Sequence, residues 1–153
     1  MNPAARVPLA RLLAEGSLER VPVDATVCQH MLTQAGNHLR TAAGGAEDGD
    51  PEGAFQLAYD ACRRTCLALV LGTGLRPRGD RAHGATFEAA ATIAQRFGAR
   101  NIVDDAADLR FVRHGAEYRA ETVSAADALD AISIGHELLG SITPRVRQIL
   151  AAT

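Results

Sequence analysis

The stretch PEGAFQLAYDACRRTCLALVLGTG, residues 51–74, limits the fold more than any other part of this chain. Pro51 opens it as a helix and Gly72 and Gly74 stop it; between them the only polar stripe is Gln56, Asp60, Arg63 and Arg64. A helix that is apolar at nearly every other position must be surrounded by other elements. The chain of 153 residues, 47% of them apolar, is long enough to do this within one domain. With four phenylalanines, two tyrosines and no tryptophan, the core has to be built from Ala, Leu, Val and Ile, which suits close-packed helices better than a sandwich. The expected fold is therefore all-α: an up-and-down bundle of five to six helices forming a single domain over residues 1–153. Residues 1–23 form an N-terminal arm and 24–151 the bundle.

The remaining helices follow from caps and periodicity. In the arm, Pro8 starts a short helix through Leu12 and Leu13 that Gly16 closes. Asp24 caps a helix carrying Cys28, Met31, Leu32, Ala35 and Leu39 on one side, ending near Gly44. The stretch AAGGAEDGDP reads as an acidic loop, and LRPRGDRAHG as a basic one leading to a cap at Thr86. Gly98 ends the helix that follows, and Asp104 or Asp105 caps the fifth. Ser124 with Asp127 makes a capping-box pair for the last helix, which Pro144 kinks or restarts. Nothing alternates with period two, so no strand is expected.

Composition excludes some functions. The formal charge is −2 although all sixteen basic residues are arginine, so any nucleic-acid contact has to be a local patch. MNPAARVPLARLLAEG lacks the apolar run of a signal peptide or membrane span, which points to a cytoplasmic protein without membrane contact. Three cysteines make no disulfide framework. Cys62, Cys66, Cys28 and His30 lack the tight spacing of a zinc site and read as core residues, so no metal is expected. His38 and His136 lie on or near core faces and read as structural histidines. GTGLRP lacks the lysine and the strand context of a phosphate-cradling loop, and no cofactor is expected.

The stretch with chemistry is DLRFVRHGAEY, residues 108–118. At helical spacing Arg110, Arg113, His114 and Glu117 share one face. Leu109, Val112 and Ala116 flank it on one side, Phe111 and Tyr118 on the other, so one flank can serve the core and the other a second subunit. A histidine can move a proton to or from a ribose hydroxyl while a guanidinium neutralises charge growing on phosphate, with no metal required. The simpler account is an ordinary Arg113–Glu117 pair on a solvated face. In the loop before Thr86, His83 sits among Arg76, Arg78 and Arg81 and can contact phosphate, or be a solvated loop.

The order of AYDACRRTCLALVLGTGLRP, a segment with His83, GATFEA, LRFVRHGAEY and a long C-terminal helix resembles the HEPN domains (higher eukaryotes and prokaryotes nucleotide-binding), and within them a small stand-alone actinobacterial branch. The likeness covers roughly residues 24–151. It implies a dimerising helical bundle that acts as a metal-independent ribonuclease in toxin–antitoxin and defence systems, or as a non-catalytic RNA- or nucleotide-associated module. Active members carry an arginine followed by a polar residue, then a histidine a few positions on and a tyrosine after it. Arg113, His114 and Tyr118 match the outer parts of that pattern, while Ala116 stands where the histidine belongs.

Together these features predict a homodimeric HEPN-like module that associates with RNA or nucleotide and has degenerate or weak ribonuclease chemistry. Arg113 steadies phosphate, His114 transfers the proton and Tyr118 positions substrate; Arg110, Glu117, Arg78 and His83 are the substrate contacts. The alternatives are an active ribonuclease toxin held by an antitoxin, and a non-catalytic bundle that works with a nucleotidyltransferase.

Overall fold

The computed structural model describes the backbone of residues 3–118 and 122–153, and the side chains of 8–115 and 122–153. Six α-helices make up most of it: α1 (Pro3–Ala14), α2 (Ala25–Glu47), α3 (Pro51–Gly72), α4 (Ala82–Ala94), α5 (Arg100–Tyr118) and α6 (Ala125–Ala151). The all-α bundle expected from the sequence is what forms. No helix among the described residues is long and apolar enough to cross a membrane.

α3 is the centre, packing against α2, α4, α5 and α6. Its buried residues include Phe55, Tyr59, Cys62, Cys66, Leu69 and Val70, which leaves the Asp60, Arg63 and Arg64 stripe half-buried. Asp50 starts it by accepting a hydrogen bond from the Gly53 amide at 3.0 Å. That carboxylate lies so close that a Cβ on Gly53 would collide with Asp50 Oδ2, so any larger residue there would have to displace the capping side chain.

α2 forms a hairpin with α3 and also packs on α6. Asp24 caps it as expected, accepting from the Thr26 and Val27 amides at 3.0 and 3.2 Å. The expected acidic loop is mostly helix, because α2 continues to Glu47. A Cβ on Gly45 would lie 3.8 Å from Ala54, so this end of α2 packs on α3, and that packing offsets the low helix propensity of the glycines. The Ser124–Asp127 capping box forms in both directions, and α6 runs unbroken through Pro144.

Other expectations are corrected. α1 begins at Pro3, so Pro8 lies inside it. Two short strands exist, β1 (Leu18–Arg20) and β2 (Leu75–Pro77), paired antiparallel with Glu19 opposite Arg76. Three residues are too few to show alternation, and the partners are far apart in sequence. α4 starts at Ala82, so His83 is helical; Thr86 is buried within α4 and donates to the Ala82 carbonyl at 2.7 Å. α5 starts at Arg100, because Gly98 (φ +76°) ends a 3-10 turn over Gln95–Phe97 and the chain re-enters helix at once; Asp104 pairs with Arg100 at 3.4 Å. His136, finally, is exposed on α6, away from the core.

Candidate functional site

α3, α4 and α5 bring one group of polar side chains together. Tyr59, Asp60 and Arg63 come from α3, His83 from the first turn of α4, and Arg110 and Arg113 from α5. Asp60 and Arg63 belong to the polar stripe of an otherwise buried helix, and Tyr59 borders it. α5 presents Arg113 because Leu109 and Ala106, one turn and nearly two turns earlier, are buried and fix its rotation.

Tyr59 is the fixed point. Only 5% exposed, it stacks on Phe55 with centroids 6.5 Å apart and meets Phe87 at 5.9 Å. The Arg113 guanidinium carbon stands 5.2 Å from its ring centroid. Burial pushes the Tyr59 phenol above its ordinary pKa, against the charge and hydrogen bonding of Arg113 and the charges of Arg110 and Arg63. Tyr59 is therefore a neutral hydroxyl beside cations, able to donate to an oxyanion.

Asp60 ties the lower edge. Its Oδ1 accepts from Arg63 at 2.9 Å and its Oδ2 from Arg64 at 2.7 Å, while His38 Nδ1 lies 3.1 Å from Oδ2 without the alignment of a hydrogen bond. Burial raises this carboxyl, but hydrogen bonds from Arg64 and Arg63 hold it below the ordinary value. Arg64 turns away and donates to Gln34 Oε1 at 2.5 Å, joining α3 to α2. One carboxylate thus serves two guanidiniums, and the Arg63 edge of the stripe stays cationic.

His83 responds to the positive charge around it. Partial burial and the charges of Arg63 and Arg113 lower its pKa, with Asp60 opposing, so the imidazole is largely neutral at pH 7. A neutral imidazole within the field of two guanidiniums can take a proton where an anion is held.

Of the expected site residues, Arg113 and His83 meet here, and Arg110 contributes at longer range while its guanidinium covers Phe111 at 4.7 Å. His114 lies on α5 and is exposed. Arg78 is directed elsewhere: its Nη1 reaches Glu19 Oε2 at 3.2 Å, beside the Arg76–Glu19 pair that joins the strands. The side chains of Ala116, Glu117 and Tyr118 lie outside the described residues. Tyr59, Asp60 and Arg63 are members of this cluster that the α5 pattern did not reveal. Their signal was the polar stripe on a helix that is otherwise buried.

No group of three or more metal-ligating side chains occurs among the described residues. Cys28, Cys62 and Cys66 are fully buried free thiols, and burial lifts Cys62 to about 12, so they pack as small apolar groups. Nothing matches this chain among protein-family models, curated proteins or solved structures.

Proposed function

We propose that this chain is a HEPN-like, RNA- or nucleotide-associated module, working as a cytoplasmic homodimer, that recognises phosphate at the α3–α4–α5 cluster. The observation that carries this reading is that Arg113 stands over the Tyr59 ring while the charges of Arg113 and Arg63 act on both Tyr59 and His83. Two cations and a hydroxyl can hold a phosphodiester, and the near-neutral charge of the whole chain is compatible with a patch of this size. In this reading the second subunit packs on α5 over Phe111, which is 63% exposed beside Arg110.

Any cleavage by this module is weak and metal-independent. The ribose 2′-hydroxyl gives its proton to His83 as its oxygen attacks phosphorus. The bond from phosphorus to the 5′-oxygen breaks, that oxygen takes a proton from His114 or water, and a cyclic phosphate remains. Arg113 and Arg63 offset the charge that builds on phosphorus oxygens in between.

The test is binding and cleavage of a labelled RNA pool in EDTA by the intact protein and by Arg113→Ala, His83→Ala and His114→Ala variants. RNA affinity lost in Arg113→Ala supports the reading, and cleavage lost also in His83→Ala adds the nuclease activity. Affinity equal in all four proteins would leave a partner-binding bundle, such as a companion of a nucleotidyltransferase.

A further inference from the structure

A groove of 760 Å³ that shares Arg63 and His83 with the cluster runs between the chain leading into α2 and the α3–α4 surface. Its apolar walls include Val21, Val27, Met31, Leu67 and Leu71. This volume lies in the range of small-molecule sites, which are mostly apolar with a few polar groups that fix orientation. The ionisable groups in the lining, among the described residues, are Asp24, Arg63, Arg76 and His83.

Those four are not equivalent. Asp24 accepts from the Thr26 and Val27 amides as the α2 cap, and Arg76 is held by Glu19 across the two strands. His83 is largely neutral at pH 7, as its lowered pKa requires. Arg63 shares its carboxylate partner with Arg64, so Asp60 neutralises only one of the two. Two guanidiniums, Arg63 and Arg76, face one carboxylate, Asp24, in this lining, so the charge it offers a ligand is positive; Arg63, which gives Asp60 one hydrogen bond where Arg76 gives Glu19 two, has more donors left to offer. Among the described residues no phenylalanine, tyrosine or tryptophan lines the groove, and no side-chain amide is there to read the edge of a base. An aliphatic body suits these walls better than a nucleobase.

We infer that this groove binds a small amphipathic anion, a medium-chain aliphatic carboxylate, with its chain along Val27, Met31, Leu67 and Leu71 and its head group on Arg63. The guanidinium can present two parallel N–H groups to the carboxylate while still donating to Asp60. Met31 adapts the wall to chains of different shape. The inference does not rest on the RNA reading, although Arg63 and His83 belong to both sites and the two ligands would compete there.

The experiment is calorimetric titration of the intact protein with octanoate and with 1-octanol, repeated on Arg63→Gln and Val27→Glu. Val27 is 39% exposed, so the second variant folds while placing a like charge in the groove. Octanoate should bind more tightly than octanol, and removal of the guanidinium in Arg63→Gln should weaken octanoate about tenfold with octanol unchanged. Val27→Glu should abolish octanoate binding. Equal affinity for the acid and the alcohol in the unaltered protein, or octanoate binding unchanged in Val27→Glu, would overturn the inference even if Arg63→Gln failed to fold. RNA affinity measured on the same samples separates the two readings, because either ligand can be lost while the other still binds.

Discussion

The Arg113 guanidinium carbon lies 5.2 Å from the centre of the Tyr59 ring, joining the C-terminal half of α5 to α3, the central helix of the bundle. A ring face attracts a guanidinium without cancelling its charge, so Tyr59 positions Arg113 and leaves it cationic. Phe55 and Phe87 hold the tyrosine in turn. The arginine is thus placed by the core, although its charge acts at the edge of the fold.

On the proposed reading, replacing Arg113 should weaken RNA binding similarly for all sequences. Arg113→Ala should lower the slope of log affinity against log salt by about one, as expected when one phosphate fewer is neutralised by the protein. Fluorescence anisotropy over a salt series measures this. A slope equal to that of the intact protein would remove Arg113 from the interface.

His83 should titrate below the ordinary histidine value of 6.5, because burial and the two arginines oppose its protonation. Arg63→Gln or Arg113→Gln should each move the imidazole midpoint upward, as followed by NMR. Since the folded value is the lower one, the neutral ring favours the folded state above 6.5, and that contribution is lost as pH falls from there through the folded midpoint. An unmoved midpoint in both variants would show that the arginines do not act on it.

Asp60 should contribute to stability above the ordinary carboxyl value of 3.8, and this contribution should disappear as pH falls through the lower folded value. Asp60→Asn leaves Arg63 and Arg64 without their shared anion and should cost about 1–3 kcal/mol near neutral pH. Urea unfolding at about pH 7 and about pH 3 tests both statements: the gap between the variant and the intact protein should narrow in acid. A gap that persists would place the effect in packing and not in charge.

Gly135 on α6 allows the closest approach of α2, since a Cβ there would lie 2.6 Å from Leu39 Cδ2. Gly135→Ala should destabilise by about 1–3 kcal/mol through overpacking, offset by up to about 1 kcal/mol of helix propensity. In the double variant with Leu39→Ala the two losses should sum to less than their separate values, because the added methyl enters space the leucine left. Strict additivity in thermal unfolding would mean that the two residues do not meet.

Local spacing alone accounts for the helical class, for the caps at Asp24 and Ser124, and for the burial of residues 51–72, since a cap needs only its own first turn and an apolar helix in water has to be covered. It also singles out Arg113 and His83 as residues with chemistry to offer. That the charge of Arg113 reaches His83 is a property of the packed bundle, because the approach of α4 and α5 depends on how both pack on α3. The same holds for the strand pair Glu19–Arg76, for the helical state of residues 44–47 and for the direction of Arg78. Periodicity along a helix sets which of its faces is polar. Which other polar face it meets is set by the packing of partners distant in the chain.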